Sequence, residues 1–169
     1  NILNPIISNL NTSNDPKIKI ALDKINYHLL KGQKILVFSR YTSTTNYLSS
    51  CILNQFDLPF GVFQGDKKQI YSQNGDCQDV EKKTITKNFK NGDFSLIICS
   101  DAASEGLNLQ TASVLINIDV PWNPARVLQR FGRIDRFGQK NQEIFFYNLY
   151  YPDSVESKIY RKLLERNNA

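Results

Sequence analysis

The chain has 169 residues, 41% of them hydrophobic, with a net charge of +5 and a pI near 9.1. That length holds one well-filled core, so a single domain is expected, and no internal repeat divides it. The positive balance favours an anionic partner, although fourteen lysines also fit a solvated surface.

Cys51, Cys77 and Cys99 are odd in number and widely spaced, with His28 as the single histidine, which argues against a disulfide scaffold or a zinc site and for a cytosolic chain. The apolar runs are strand-sized, so no membrane span is expected, and no signal segment opens the sequence. Methionine is absent even at position 1, so the sequence is expected to be a piece of something larger or a processed product.

Residues 1–16 read as a lead-in and residues 17–169 as the domain. Asp15-Pro16 has the form of a capped helix start, followed by Ile18, Ala21, Leu22, Ile25, Leu29 and Leu30 at helical spacing and stopped by Gly32. His28 sits beside that face, as a surface or boundary residue rather than a ligand. Lys34–Ser39 is a compact apolar strand of the buried parallel type. A helix over Thr42–Phe56 follows, then a short strand over Phe60–Gln64 ending at Gly65-Asp66. Residues 65–78 are polar and irregular and read as a long, mobile loop.

Asp79–Asn91 reads as a polar helix stopped near Gly92, Ser95–Ser100 and Val114–Asp119 as buried strands, Glu143–Tyr150 as a strand, and Asp153–Asn167 as a basic terminal helix. Five strands separated mostly by helices imply an α/β fold with a mostly parallel central sheet and helices on both faces. In such sheets ligands lie outside the carboxyl ends of the strands.

Asn123 and Pro124 begin a further helix as cap and first residue. At 100° per residue Arg126, Arg130 and Arg133 fall within about 60° of one another, beside an apolar face of Val127, Phe131 and Ile134. Gly132 is expected to fray or stop the helix, leaving Arg133 and Arg136 at its end. Four of the seven arginines lie between positions 126 and 136. Arginine is well shaped for forked contacts to phosphate oxygens, so the stretch reads as a phosphate-facing helix end or, more plainly, as a basic surface helix.

Two further stretches carry candidate chemistry. After the strand ending at Ser100 comes S-D-A-A-S-E-G-L-N-L, in which Asp101, Ser104, Glu105 and Asn108 suit a metal-water shell, a ribose or phosphates, and Gly106 permits close backbone approach. An ordinary capped helix explains it equally well. Ser39-Arg40-Tyr41-Thr42 ends a strand and opens a helix, where amides, hydroxyls and a guanidinium suit a phosphate; a plain N-cap is the alternative. The sequence holds no G-x-x-x-x-G-K-[ST] loop, and Asp119 is followed by Val120-Pro121 rather than a second acid. Arginines without a phosphate cradle point to completion in trans: another domain binds ATP and Mg²⁺, and this one brings arginines to the charge developing on the transferred phosphoryl group.

The series K-I-L-V-F-S-R-Y-T (34–42), S-D-A-A-S-E-G-L-N-L-Q-T-A (100–112), I-N-I-D-V-P-W-N-P-A-R (116–126) and Q-R-F-G-R-I-D-R-F-G-Q (129–139) resembles the second, C-terminal RecA-like domain of superfamily 2 helicases. Within them it looks like the SNF2-type group, most of all its bacterial branch that acts on RNA polymerase. The resemblance covers roughly residues 17–150. It implies a RecA-like fold, ATP and Mg²⁺ held mainly on a missing N-terminal RecA-like domain of the same parent chain, and a cytoplasmic, bacterial protein. With a sufficient core but neither phosphate cradle nor metal ligands, the isolated piece is expected to be a folded monomer that is inactive toward ATP.

Carried over by motif, Ser39 and Arg40 match the strand-end motif near the nucleic-acid backbone, with Gly65 near the next such contact and Ser100 a further candidate at a strand end. Glu105, Gly106 and Asn108 match the motif between nucleotide and nucleic acid. Gln129, Arg133 and Arg136 match the final motif, whose arginines reach the triphosphate, Arg136 first and Arg133 close behind. Trp122 matches a tryptophan typical of the SNF2-type group, or else packs the strand-to-helix turn. The chain itself is expected to hold no metal.

Two features depart from the eukaryotic-type remodellers: Arg130 stands where many of them have alanine, and their large insertions are absent, which makes chromatin an unexpected substrate. The implied function is the second motor domain of an ATP-dependent double-stranded DNA translocase or helicase, with backbone contacts to DNA and RNA polymerase as a further partner. The alternatives are the C-terminal domain of an RNA helicase, or a non-catalytic, degenerate RecA-like interaction domain.

Overall fold

The computed structural model describes residues 15–65, 67–101, 109–135, 143–158 and 160–161. The first helix, α1 (Pro16–Leu30), starts where Asp15 accepts hydrogen bonds from the amides of Lys17 at 2.8 Å and Ile18 at 3.4 Å. Such a cap is worth about 1 kcal/mol. Helix α1 leads into β1 (Ile35–Ser39), α2 (Thr42–Gln55) and β2 (Phe60–Gln64). The chain continues through β3 (Lys67–Tyr71), β4 (Cys77–Asp79), α3 (Lys82–Asn91), β5 (Leu96–Ser100), β6 (Val114–Asn117), α4 (Pro124–Phe131) and β7 (Phe145–Asn148).

These strands form one sheet of seven in the order β4-β3-β2-β5-β1-β6-β7. The five expected from the apolar runs, β2, β5, β1, β6 and β7, pair in parallel. Every residue of β1, β2, β5 and β6 is buried, as a sheet covered on both faces requires. Alternation sorts the side chains: Ile35, Val37, Val62, Ile98 and Ile116 pack with α1 and α2, whereas Leu36, Phe38, Phe63, Ile97 and Leu115 pack with α3 and Ile134.

Residues 65–78 are not the long loop their polarity predicts. They hold β3 and β4, which extend the sheet by two antiparallel strands beyond β2. Three features build that hairpin. Tyr71 stacks on Phe60 across the β2–β3 pair, with ring centroids 4.8 Å apart. Gly75, at φ +85°, makes the turn with its amide bonded to the Ser72 carbonyl at 3.0 Å. Ile70 and Tyr71 each bury against one of the two cores. The following helix accordingly starts at Lys82 rather than Asp79.

His28 is fully buried rather than at the surface. Its Nδ1 lies 2.6 Å from Gln33 Oε1 and its Nε2 2.9 Å from the Tyr147 hydroxyl, so both ring nitrogens are satisfied within the core. After β7, residues 155–158 and 160–161 are helical, and the chain is clasped back onto the start of α1. Tyr151 donates to Asp15 at 2.9 Å, and Lys17 bonds Glu156 at 2.7 Å. Burial first, then the hydrogen bond to Asp15 and the charges of Asp15 and Glu156, push the Tyr151 hydroxyl up to about 12. Residues 1–14 of the expected lead-in lie outside the described residues, as does the end of the expected terminal helix. Among the described residues no helix is long and apolar enough to cross a membrane.

Gly61 in β2 faces the α3 side, where an added Cβ would stand 3.0 Å from Phe94 Cε2 and 3.4 Å from Ile85 Cγ2. Both neighbours are buried and have little room to shift. Gly61→Val is expected to cost about 1–3 kcal/mol by overpacking, read as a lowered thermal unfolding midpoint; an unchanged midpoint would show that the contact is looser than described.

Candidate nucleotide and nucleic-acid face

The carboxyl ends of the parallel strands gather most of the described candidate residues on one rim. Ser39 and Ser100 end neighbouring strands in direct register, and Gly65 follows β2 on the other side of β5. Their surroundings differ. Ser39 is buried, donates to Asp119 Oδ2 at 2.6 Å and accepts from the Tyr41 amide at 3.2 Å. Its hydroxyl is therefore engaged inside the protein. The Arg40 amide is held by both Asp119 oxygens, at 2.9 and 3.0 Å, while the Arg40 side chain is exposed, its guanidinium 5.6 Å from the Tyr41 ring centroid. Ser100 is buried, and its hydroxyl has no hydrogen-bond partner among the described residues. Gly65 is exposed at φ +42°, with open space where a side chain would stand.

Helix α4 begins as its sequence dictates. Asn123 accepts from the Ala125 amide at 3.0 Å, and Pro124 occupies the first turn. It ends at Phe131, with Gly132 at an ordinary helical φ of −62°. The expected face of three exposed arginines is not what forms. Arg130 turns inward, 2% exposed, with its guanidinium 5.4 Å from the Phe38 ring centroid. Its Nε donates to Asp101 Oδ1 at 2.7 Å, and its Nη1 donates to Asn117 Oδ1 at 2.7 Å and to the Asp119 carbonyl at 3.0 Å. Its Nη2 pairs with Asp101 at 2.7 Å and with Asp119 at 3.5 Å.

The physical reason is local. Asp101 and Asp119 lie just beyond the ends of β5 and β6, and buried carboxylates at that depth need a cation. Arg126, one turn earlier, stays outside, with Nη1 3.7 Å from Asp101. Sequence periodicity puts the arginines on one side of α4; the acids at the strand ends carry the signal that one of them points in.

Gln129 is exposed on α4, and Arg133 is half-buried just past its end. Arg133 lies close enough to Cys99, the penultimate residue of β5, for its charge to bear on the thiol. Burial nevertheless dominates there, pushing Cys99 up to about 12 against the opposing pull of Arg130 and Arg133. Trp122 is 63% exposed rather than packed into the turn. It lines a cleft of about 290 Å³ with Arg40, Asp101, Pro121, Asn123 and Arg126. Glu105, Gly106, Asn108 and Arg136 lie outside the described residues.

The mostly parallel sheet, buried on both faces at its centre, with an arginine-bearing helix opening at the carboxyl rim, is that of a RecA-like α/β domain. The model for the helicase conserved C-terminal domain matches residues 16–138. The chain belongs to that family. It is 34% identical over 133 residues to the uncharacterized ATP-dependent helicase YqhH of Bacillus subtilis, covering 79% of this chain and 22% of that protein. It is 29% identical over 154 residues to the SNF2 domain-containing protein CLASSY 4 of Arabidopsis thaliana, covering 89% and 13%. It is also 28% identical over 155 residues to the RNA polymerase-associated protein RapA of Vibrio cholerae, covering 92% and 15%.

Among solved structures, the C-terminal part of the Fun30 ATPase domain superposes with a TM-score of 0.71 at 28% identity, over 88% of this chain and 45% of that one. The chain thus spans between 13% and 22% of the length of these curated relatives.

The two arginines of α4 are expected to separate sharply in stability. Arg130→Ala strands two carboxylates and an amide and should cost about 3–5 kcal/mol. Arg126→Ala removes an exposed pair worth less than about 1 kcal/mol. Denaturant unfolding of the two variants checks this; equal, small losses would mean that the Arg130 network contributes little.

Proposed function

We propose that this chain is the second motor domain of an ATP-dependent double-stranded DNA translocase or helicase, with residues 17–169 as its extent. ATP and Mg²⁺ are the substrate and ion of an upstream RecA-like domain. The observation that carries the reading is the seating of α4: membership of the helicase C-terminal family is joined to a helix whose Arg130 is fixed to the strand ends, with Gln129 exposed and Arg133 half-buried beside it.

In this reading Arg133 and Arg136 meet charge developing on the transferred phosphoryl oxygens, and Gln129 lies against the nucleotide with Glu105, Gly106 and Asn108. A guanidinium is suited to that task because its donors are planar, fixed and permanently charged. Among the described residues no cluster of three or more His, Cys, Asp or Glu side chains is gathered for a metal. The sequence also contains no G-x-x-x-x-G-K-[ST] phosphate loop. The missing phosphate loop supports the division of labour between two domains.

On the same rim the exposed Arg40 side chain and the open backbone at Gly65 face a duplex backbone, with Ser39 and Ser100 shaping the strand ends behind them. Contacts of this kind hold a strand in register without reading its bases. The likeness to RapA makes RNA polymerase the protein partner to test first, in a bacterial cytoplasm, with this domain monomeric on its own.

The 169-residue chain alone is expected to turn over essentially no ATP, with or without duplex DNA; activity that tracks this chain through purification and disappears on mutating it would overturn the two-domain reading. In the complete protein, Arg133→Ala and Arg136→Ala should each lower turnover roughly 10³-fold, within the range of an arginine finger, with ATP affinity falling less. Steady-state ATPase with matched duplex DNA, single-stranded DNA and duplex RNA tests both parts. Stimulation by RNA alone, or both variants keeping wild-type turnover, would reject the assignment.

A further inference from the structure

We propose that Arg130 is a positioning residue, which makes the arginine-bearing helix and the nucleic-acid rim one rigid unit so that engagement of a duplex backbone at Arg40 is felt at Arg133; this rests on the function proposed above. The connection is short and continuous. The Arg40 amide is held at 2.9 and 3.0 Å by the Asp119 carboxylate, which also accepts from Ser39 at 2.6 Å. On its other side that carboxylate faces Arg130 Nη2 at 3.5 Å, and the Asp119 carbonyl accepts from Nη1 at 3.0 Å. The Arg130 carbonyl in turn accepts from the Arg133 amide at 3.0 Å. Two side chains, those of Asp119 and Arg130, thus link the backbone that aims Arg40 to the backbone that aims Arg133.

The same guanidinium fixes two more strand ends. Asp101, directly after β5, is held at 2.7 Å, and Asn117, the last residue of β6, also at 2.7 Å. Asn117 continues the network by donating to Asn148 at the end of β7 at 2.7 Å, and Asn148 donates to the Tyr160 hydroxyl at 3.1 Å. Apolar residues replacing Arg130 together with Asp101 and Asp119 would fill this space without the cost of burying one cation against two carboxylates. What the forked, planar group adds is geometry: it addresses Asp101, Asn117 and Asp119 at once, which a lysine ammonium on a flexible stem does not reproduce. A catalytic group misplaced by about 1 Å loses up to ~10²-fold in rate, so loosening this joint should register in turnover even though Arg130 touches no reactant.

The test uses the complete protein with ATP and a duplex DNA at saturating concentration, comparing wild type, Arg130→Lys, Asp101→Asn and Arg133→Ala. The readout is the ratio of duplex-saturated to duplex-free turnover, with thermal unfolding recorded for each variant. Arg130→Lys is expected to stay folded and to lose about tenfold to ~10² in that ratio, and Asp101→Asn, which keeps the side chain's shape, to lose part of it. Should Arg130→Lys not fold, Asp101→Asn decides alone. A folded variant whose ratio equals that of wild type would reduce Arg130 to a structural brace and overturn the proposal. Arg133→Ala separates the two readings: it should lose turnover both with and without duplex, and full turnover in that variant would refute the arginine-finger function rather than the positioning role.

Discussion

The buried guanidinium of Arg130 is the constraint on which the functional end of this domain depends. Five parallel strands point their carboxyl ends at one rim. Left to the backbone alone, the segments after β1, β5 and β6 would have no common reference. Arg130 supplies one by bonding Asp101, Asn117 and Asp119 together. Its low exposure makes the arrangement demanding, because each of those groups is costly to leave unpaired once water is removed. The joint therefore holds its members firmly, which suits the proposed need to keep two working surfaces in fixed relation.

The rest of the fold serves that rim from behind. The four strands at the centre are buried on both faces and tolerate little movement, and the edges differ in character. On one side the β3–β4 hairpin extends the sheet with a mostly polar, half-exposed ribbon. On the other, β7 and the helical turns after it return to the start of α1 through Tyr151–Asp15 and Lys17–Glu156. That clasp joins the beginning of the described chain to its end and keeps the α1 N-terminus beside the carboxyl rim, where Tyr41, Asp119 and Tyr151 line a common cleft.

How much of this was legible in the sequence follows from what periodicity encodes. Runs such as I-L-V-F-S and L-I-I-C-S announce strands buried on both sides, and their alternation with helices fixes a parallel sheet. The hairpin was not legible in the same way. K-K-Q-I-Y has just two apolar residues, and they bury on opposite faces, so the stretch looks like a loop until Phe60 and Gly61 are known to stand beside it. Asn74-Gly75, a strong hairpin turn signal, was the available clue. His28 was misplaced because its satisfying partners include Tyr147, far along the chain. At the rim, motif spacing brought Ser39, Arg40, Gly65 and Ser100 to strand ends, where they lie. It did not distinguish the arginines of α4, because a helical wheel shows which way a side chain leaves its helix and not what awaits it.

Charge at the rim is organised by position more than by amount. The net +5 of the chain is spread over a lysine-rich surface and would attract any polyanion weakly and in a salt-dependent way. Within the rim, Asp101 and Asp119 together absorb the charge of Arg130 and draw on that of Arg126. Beside the exposed, loosely paired Arg126, the described arginines of the rim include the exposed guanidinium of Arg40 and the half-buried Arg133. Neutralising the middle of the rim keeps those two cations distinct, so that a phosphate chain meeting one is not simply pulled toward the other. The two acids look at first like a poor choice beside an anionic ligand. In the proposed reading they separate a surface suited to a nucleic-acid backbone from one suited to a nucleotide, and Arg130 joins the two.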